Sequence, residues 1–206
     1  EIMFPPKDQA NKLRPGRIGG MHTLVRTEGA SWGDGSIETQ RKKYSEHAEM
    51  LEEYIKTDKD VRWLFYLAQS YRDCFNYEKA EEWYQKRIDA KSGYWEEIYY
   101  SQLMVAGMKA RQKKPLPEVL HSYMECAKYD PNRAEHYIPI IKTYQQLQNY
   151  PAAYVLSKFC FENFKKSPFP KSSLFINNEI YEWAILDVHS INCYYMGRHQ
   201  EARSTY

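Results

Sequence analysis

No stretch of the sequence approaches the roughly 18 consecutive apolar residues that a membrane-spanning helix needs, and the mean hydropathy is −0.77. Charge of one sign is also lacking, because 29 basic residues face 27 acidic ones. Such balance supplies no global field for nucleic acid or an anionic membrane, so neither is an expected partner. Cysteine is sparse. Cys74, Cys126, Cys160 and Cys193 are widely separated, with no C-x-x-C and no Cys/His pair at zinc-finger spacing. Each sits in an apolar helical pattern, where a reduced cysteine packs as a small hydrophobe. Buried free thiols are therefore expected, and with them a reducing, cytoplasmic compartment. No charged segment followed by an apolar run marks a signal peptide. The histidines (His22, His47, His121, His136, His189 and His199) form no H-E-x-x-H pattern, and no metal site is expected. Ser/His/Asp order, a phosphate-cradling glycine loop and paired buried carboxylates are all missing, so no catalytic residue is assigned. Asp58-Lys59-Asp60 sits between two helical patterns and reads as a cap, not a metal-holding Asp-x-Asp.

Glycine is scarce after residue 35: six of the nine glycines lie within residues 1–35, beside Pro5, Pro6 and Pro15. That density prevents helix, so residues 1–35 read as an irregular segment with one short strand over Met21–Val25. At Ser36 the character switches. Ser36-Ile37-Glu38 starts a helix, and Tyr44, Ala48, Leu51 and Ile55 carry it to about Lys56. With 43% hydrophobic residues over 206 positions, the remainder can bury the core of one domain or one array of repeats.

The spacing favours the array. Leu64, Leu67, Ala68, Tyr71, Ala80 and Tyr84 occupy positions 4, 7, 8, 11, 20 and 24 of a tetratricopeptide (TPR) unit starting at Val61, with its turn at Phe75-Asn76. Small residues at 8 and 20 let two antiparallel helices approach closely. Further starts at Tyr100, Ala134 and Trp183 repeat parts of the pattern, with insertions at Ser92–Trp95 and Ser167–Ser173. The expected fold is all-α: a right-handed solenoid of about four TPR-like repeats (61–99, 100–133, 134–182 and a truncated 183–206) within a helical domain of residues 36–206. A chain that opens at Glu1 and stops at position 24 of its fourth unit is expected to be a piece of a longer protein. In such an array the first helix of each unit lines a concave groove. The inward positions yield Arg62, Phe65, Gln69 and Arg72, then Met104, Met108 and Arg111, then Lys142 and Tyr194. Arginine, methionine and aromatic side chains suit a peptide or a sugar-bearing ligand. The Lys and Asn that grip a chaperone's C-terminal carboxylate are absent, since Phe65 and Gln69 stand in their places.

Phe65–Asp73, Trp83–Arg87, Asp130–Glu135, Pro168–Pro170 with Leu174-Phe175, Tyr181–Trp183 and Tyr195–Gly197 resemble the C-terminal TPR region of certain family 2 glycosyltransferases. Met21–Arg26 resembles the last strand of the catalytic domain preceding those repeats, and the match spans roughly residues 20–206. The resemblance implies an upstream GT-A-like domain, of which residues 1–35 would be the tail, holding a nucleotide sugar and a divalent metal. Within this chain no cofactor is implied, and His22 and Arg26 are the residues that could contact the upstream active site. The implied role is to position a protein or glycan acceptor, or to form a subunit contact in a homo-oligomer. The competing reading is a stand-alone TPR adaptor that binds a peptide segment of a protein partner.

Overall fold

The computed structural model describes residues 36–164 and 174–205. The strand expected over 21–25, His22, Arg26 and the Pro168–Pro170 motif lie outside them. Every described element is helical. The α-helices are α1 (Ile37–Thr57), α2 (Arg62–Asp73), α3 (Tyr77–Asp89), α4 (Trp95–Arg111), α5 (Leu116–Met124), α6 (Tyr137–Gln146), α7 (Tyr150–Phe164), α8 (Ile185–Tyr195) and α9 (His199–Ser204). A 3₁₀ turn, Glu125–Lys128, extends α5, and a π turn, Ile180–Ala184, leads into α8. None of the described helices is long and apolar enough to cross a membrane.

Local chemistry accounts for the boundaries. The Ser36 hydroxyl accepts from the Thr39 amide at 3.2 Å and starts α1. Asp60 accepts from the Arg62 amide at 2.9 Å, so the second acid of Asp58-Lys59-Asp60 tethers the start of α2. Four helix ends share one construction. At Phe75, Lys113, Gln148 and Gly197 the backbone turns left-handed, with φ of 65°, 57°, 57° and 71°. The next residue's amide reaches back five residues to a helical carbonyl: Asn76 to Tyr71, Lys114 to Lys109, Asn149 to Tyr144 and Arg198 to Cys193, at 2.8–3.1 Å. This Schellman closure satisfies carbonyls that the helix end would orphan. After the first and third turns, the Asn76 and Asn149 side chains cap α3 and α7.

Each helix packs chiefly on its neighbours along the chain. Ala68, Ala80, Ala106 and Ala153 are fully buried on their helices, and a β-carbon alone fills the space there. The core divides into one cluster across α1–α4 and another across α6–α8. All four thiols are buried and unbridged, as the sequence led us to expect. Burial pushes the Cys160 thiol up to about 12, so it stays protonated. The Ser92–Trp95 insertion is folded around the fully buried Arg87, which donates to the Ser92 and Tyr94 carbonyls and pairs with Glu97. It also starts α4 at Trp95, five residues ahead of the repeat start at Tyr100.

Candidate functional site

Between α4, α6 and the approach to α8 lies a cavity of about 1080 Å³. Its α4 wall presents Tyr100, Met104, Gly107, Met108 and Arg111, spaced at three and four residues so that they share one helix face. Arg72 enters from α2, Ile138 and Lys142 from α6, and Trp183 from the π turn. Trp183 is 49% exposed, an indole left bare at the rim. The mouth thus combines cations with an accessible aromatic face.

One side is closed by residues 174–177, which form a strap. Phe175 stacks on Tyr100 (centroids 4.5 Å apart, planes at 26°) and packs on Phe65 at 5.5 Å. Its φ of 59° is costly for a bulky residue. Buried charge holds it there. Arg133 donates to the Phe175 carbonyl at 2.6 Å and to the Leu174 carbonyl at 3.3 Å, while its fork binds Glu135 at 2.7 and 3.2 Å. Glu135 also accepts from the Tyr181 hydroxyl at 2.6 Å and the Asn177 amide at 3.3 Å. Glu96 takes the Leu174 amide at 2.6 Å. Buried acid and base are each satisfied several times over, the condition under which such groups are tolerated. Burial, and then the Glu135 carboxylate, push the Tyr181 hydroxyl well above its ordinary pKa, so it remains a donor.

Arg72 stands ready at the wall. It pairs with Asp73 at 2.8 Å and reaches Tyr100 Oη at 3.4 Å and Met104 Sδ at 3.8 Å. Burial disfavours its charge, but Asp73 together with the Tyr84 and Tyr100 hydroxyls outweighs burial and the pKa rises. It is therefore a permanent cation.

Of the residues expected in the groove, Arg72, Met104, Met108, Arg111 and Lys142 line this one cavity. The other four do not. Phe65 is 2% exposed and belongs to the core, because Tyr100 and Phe175 cover the face that would look into the groove. Arg62 is turned to Glu97 at 3.2 Å. Tyr194 lies in a separate, smaller hollow between α8 and α9 with Tyr195 and His199. Gln69 is half-buried outside the cavity wall. Met108 itself contributes only an edge, at 2% exposure.

The strap is what sequence reasoning missed. Leu174-Phe175 sits between two helical patterns with no periodicity to reveal its docking. The one available signal was the charged pair Arg133 and Glu135 in a segment otherwise bound for the core. No protein-family model matches the chain, and no curated protein matches it.

Proposed function

We propose that the chain is a TPR-type interaction module of a family 2 glycosyltransferase, holding a glycan-bearing or peptide acceptor in the cavity between α4, α6 and α8. Sugar transfer from a nucleotide sugar, with its divalent metal, belongs to an upstream GT-A-like domain on this reading. Three features support the repeat. The left-handed turns at Phe75, Lys113, Gln148 and Gly197 each fall 13 or 14 residues after an expected repeat start at 61, 100, 134 or 183. They close by the same hydrogen bond. Buried Ala68, Ala80 and Ala153 occupy the small positions of those units. The transferase part rests on the resemblance of residues 20–206, and a cytoplasmic location on the reduced thiols.

The observation that carries the binding role is the cavity's lining, with Arg72 and Lys142 beside the exposed indole of Trp183. An aromatic face stacks on the apolar face of a sugar ring, while guanidinium and ammonium groups reach hydroxyl or carbonyl oxygens. The labelled chain, screened on a glycan array and on a peptide library, should retain sugar-bearing compounds. Trp183→Ala and Arg72→Ala should each lower that signal roughly tenfold, the loss of a central anchor. Retention of bare peptides alone would favour the adaptor reading, and binding untouched by either substitution would move the site elsewhere. The isolated chain should turn over no sugar nucleotide.

A further inference from the structure

On α8 and α9, His189, Cys193 and Glu201 bring three ligand atoms within 4.8 Å of one another. His189 and Cys193 lie four residues apart on α8, so one helical face carries both; Glu201 comes from α9, across the Gly197 turn. His189 Nε2 is 3.5 Å from Cys193 Sγ and 3.5 Å from Glu201 Oε1. Around a tetrahedral zinc-type ion, metal–sulfur bonds of about 2.3 Å and metal–nitrogen or –oxygen bonds of about 2.0–2.2 Å place ligand atoms roughly 3.3–3.6 Å apart. Two of the three edges already have that length.

The imidazole is held in the tautomer that a metal requires. Ser157 Oγ donates its only proton to the Tyr154 carbonyl at 3.1 Å and accepts from Asn192 Nδ2 at 3.0 Å. Toward His189 Nδ1, at 3.2 Å, it can therefore only accept, so Nδ1 carries the proton and Nε2 is bare. Gln145 fixes Asn192 in turn, donating to its Oδ1 at 2.9 Å. Phe161 and Tyr154 lie against the ring, with planes at 21° and 26° to it. The bare Nε2 lone pair, fully buried, thus faces both the Cys193 thiol and the Glu201 carboxylate, each 3.5 Å away, the side on which a metal ion would sit.

We propose that His189 Nε2, Cys193 Sγ and Glu201 bind a zinc-type divalent cation that fastens α9 onto α8, with a fourth position open to solvent. The supporting contacts are those expected around such a site: Ser157 orients the histidine, and Tyr154 Oη donates to both Glu201 oxygens at 3.1 Å. Arg198, 3.3 Å from Glu201 and lying over the Tyr154 ring, is the cation that the metal would displace. Binding breaks the Cys193 S–H bond, and the proton leaves to solvent.

The test uses the full 206-residue chain, stripped with chelator and titrated with Co²⁺ and then Zn²⁺. One equivalent of Co²⁺ should produce a thiolate-to-cobalt charge-transfer absorption and tetrahedral visible bands, which Zn²⁺ bleaches while raising Tm. Cys193→Ser should abolish the charge-transfer absorption. Glu201→Gln, a half-exposed position that leaves the core intact, should weaken binding roughly tenfold or more. No charge-transfer absorption at one equivalent would overturn the assignment. So would its persistence in Cys193→Ser, since another thiol would then be the ligand, or unchanged affinity in Glu201→Gln.

Discussion

His136 is fully buried at the start of α6, its Nδ1 3.1 Å from the Tyr99 hydroxyl and its Nε2 without a hydrogen-bond partner. Burial, assisted by Arg133 and opposed by Glu135, lowers its pKa from 6.5 to about 4. An unfolded chain protonates this ring near 6.5, whereas the folded one resists until about 4. In that window the unfolded state binds more protons, so stability is full above the upper value and falls as pH drops through it. At about 1.4 kcal/mol per pH unit, the loss attributable to His136 approaches about 3 kcal/mol. Urea unfolding near neutral pH and near pH 5 should show the decline, and His136→Gln should flatten it. A folded-state NMR titration of His136 near its ordinary value would contradict this account. Phe65 teaches a related lesson, because a residue placed at a groove position by its repeat number was covered by an aromatic from another segment.

The strap of residues 174–177 stands or falls with Arg133 and Glu135, whose side chains are 1% and 3% exposed. Removing one member of a buried, hydrogen-bonded pair leaves the other charge stranded, at a typical cost of about 3–5 kcal/mol. Glu135→Gln should lower the urea midpoint accordingly and speed hydrogen exchange at the Asn177 amide, which now donates to that carboxylate. Undiminished protection there would mean that the strap holds by Phe175 packing alone. The left-handed Phe175 offers a second measurement. With the ring removed in both variants, Phe175→Gly should be more stable than Phe175→Ala by about 1 kcal/mol, since glycine alone adopts this φ without strain.

Across the described helices, the cavity is the feature that several of them must build together. Gly107 shows how open it is: a β-carbon added there would meet only Tyr123 Oη, at 3.9 Å. Gly107→Ala should therefore stabilise α4 by about 0.5–1 kcal/mol in thermal or urea unfolding. Gly107→Phe should leave the helical content unchanged while filling the space between α4 and α6. Ligand retained by Arg72 and Trp183 in the parent protein should then be lost, and a filled cavity that still bound it would place the ligand on another face.

The helical character and several helix ends were legible because their causes are local. Ser36, Asp60, Asn76 and Gly197 act within one turn of their own positions, and the spacing of Leu67, Ala68, Tyr71 and Ala80 records which face each helix buries. Only the tertiary structure decided which groove residues meet. It gathered Arg72, Met104, Arg111 and Lys142 around one space, sank Phe65 beneath Phe175, and turned Arg62 toward Glu97. It also brought Glu201 back onto His189 and Cys193. Apart from the Glu201 hairpin, these contacts join residues far apart in the chain, and periodicity does not record which distant segments meet. Helical periodicity encodes which side of an element is apolar, and it is silent about which distant segment arrives to cover it.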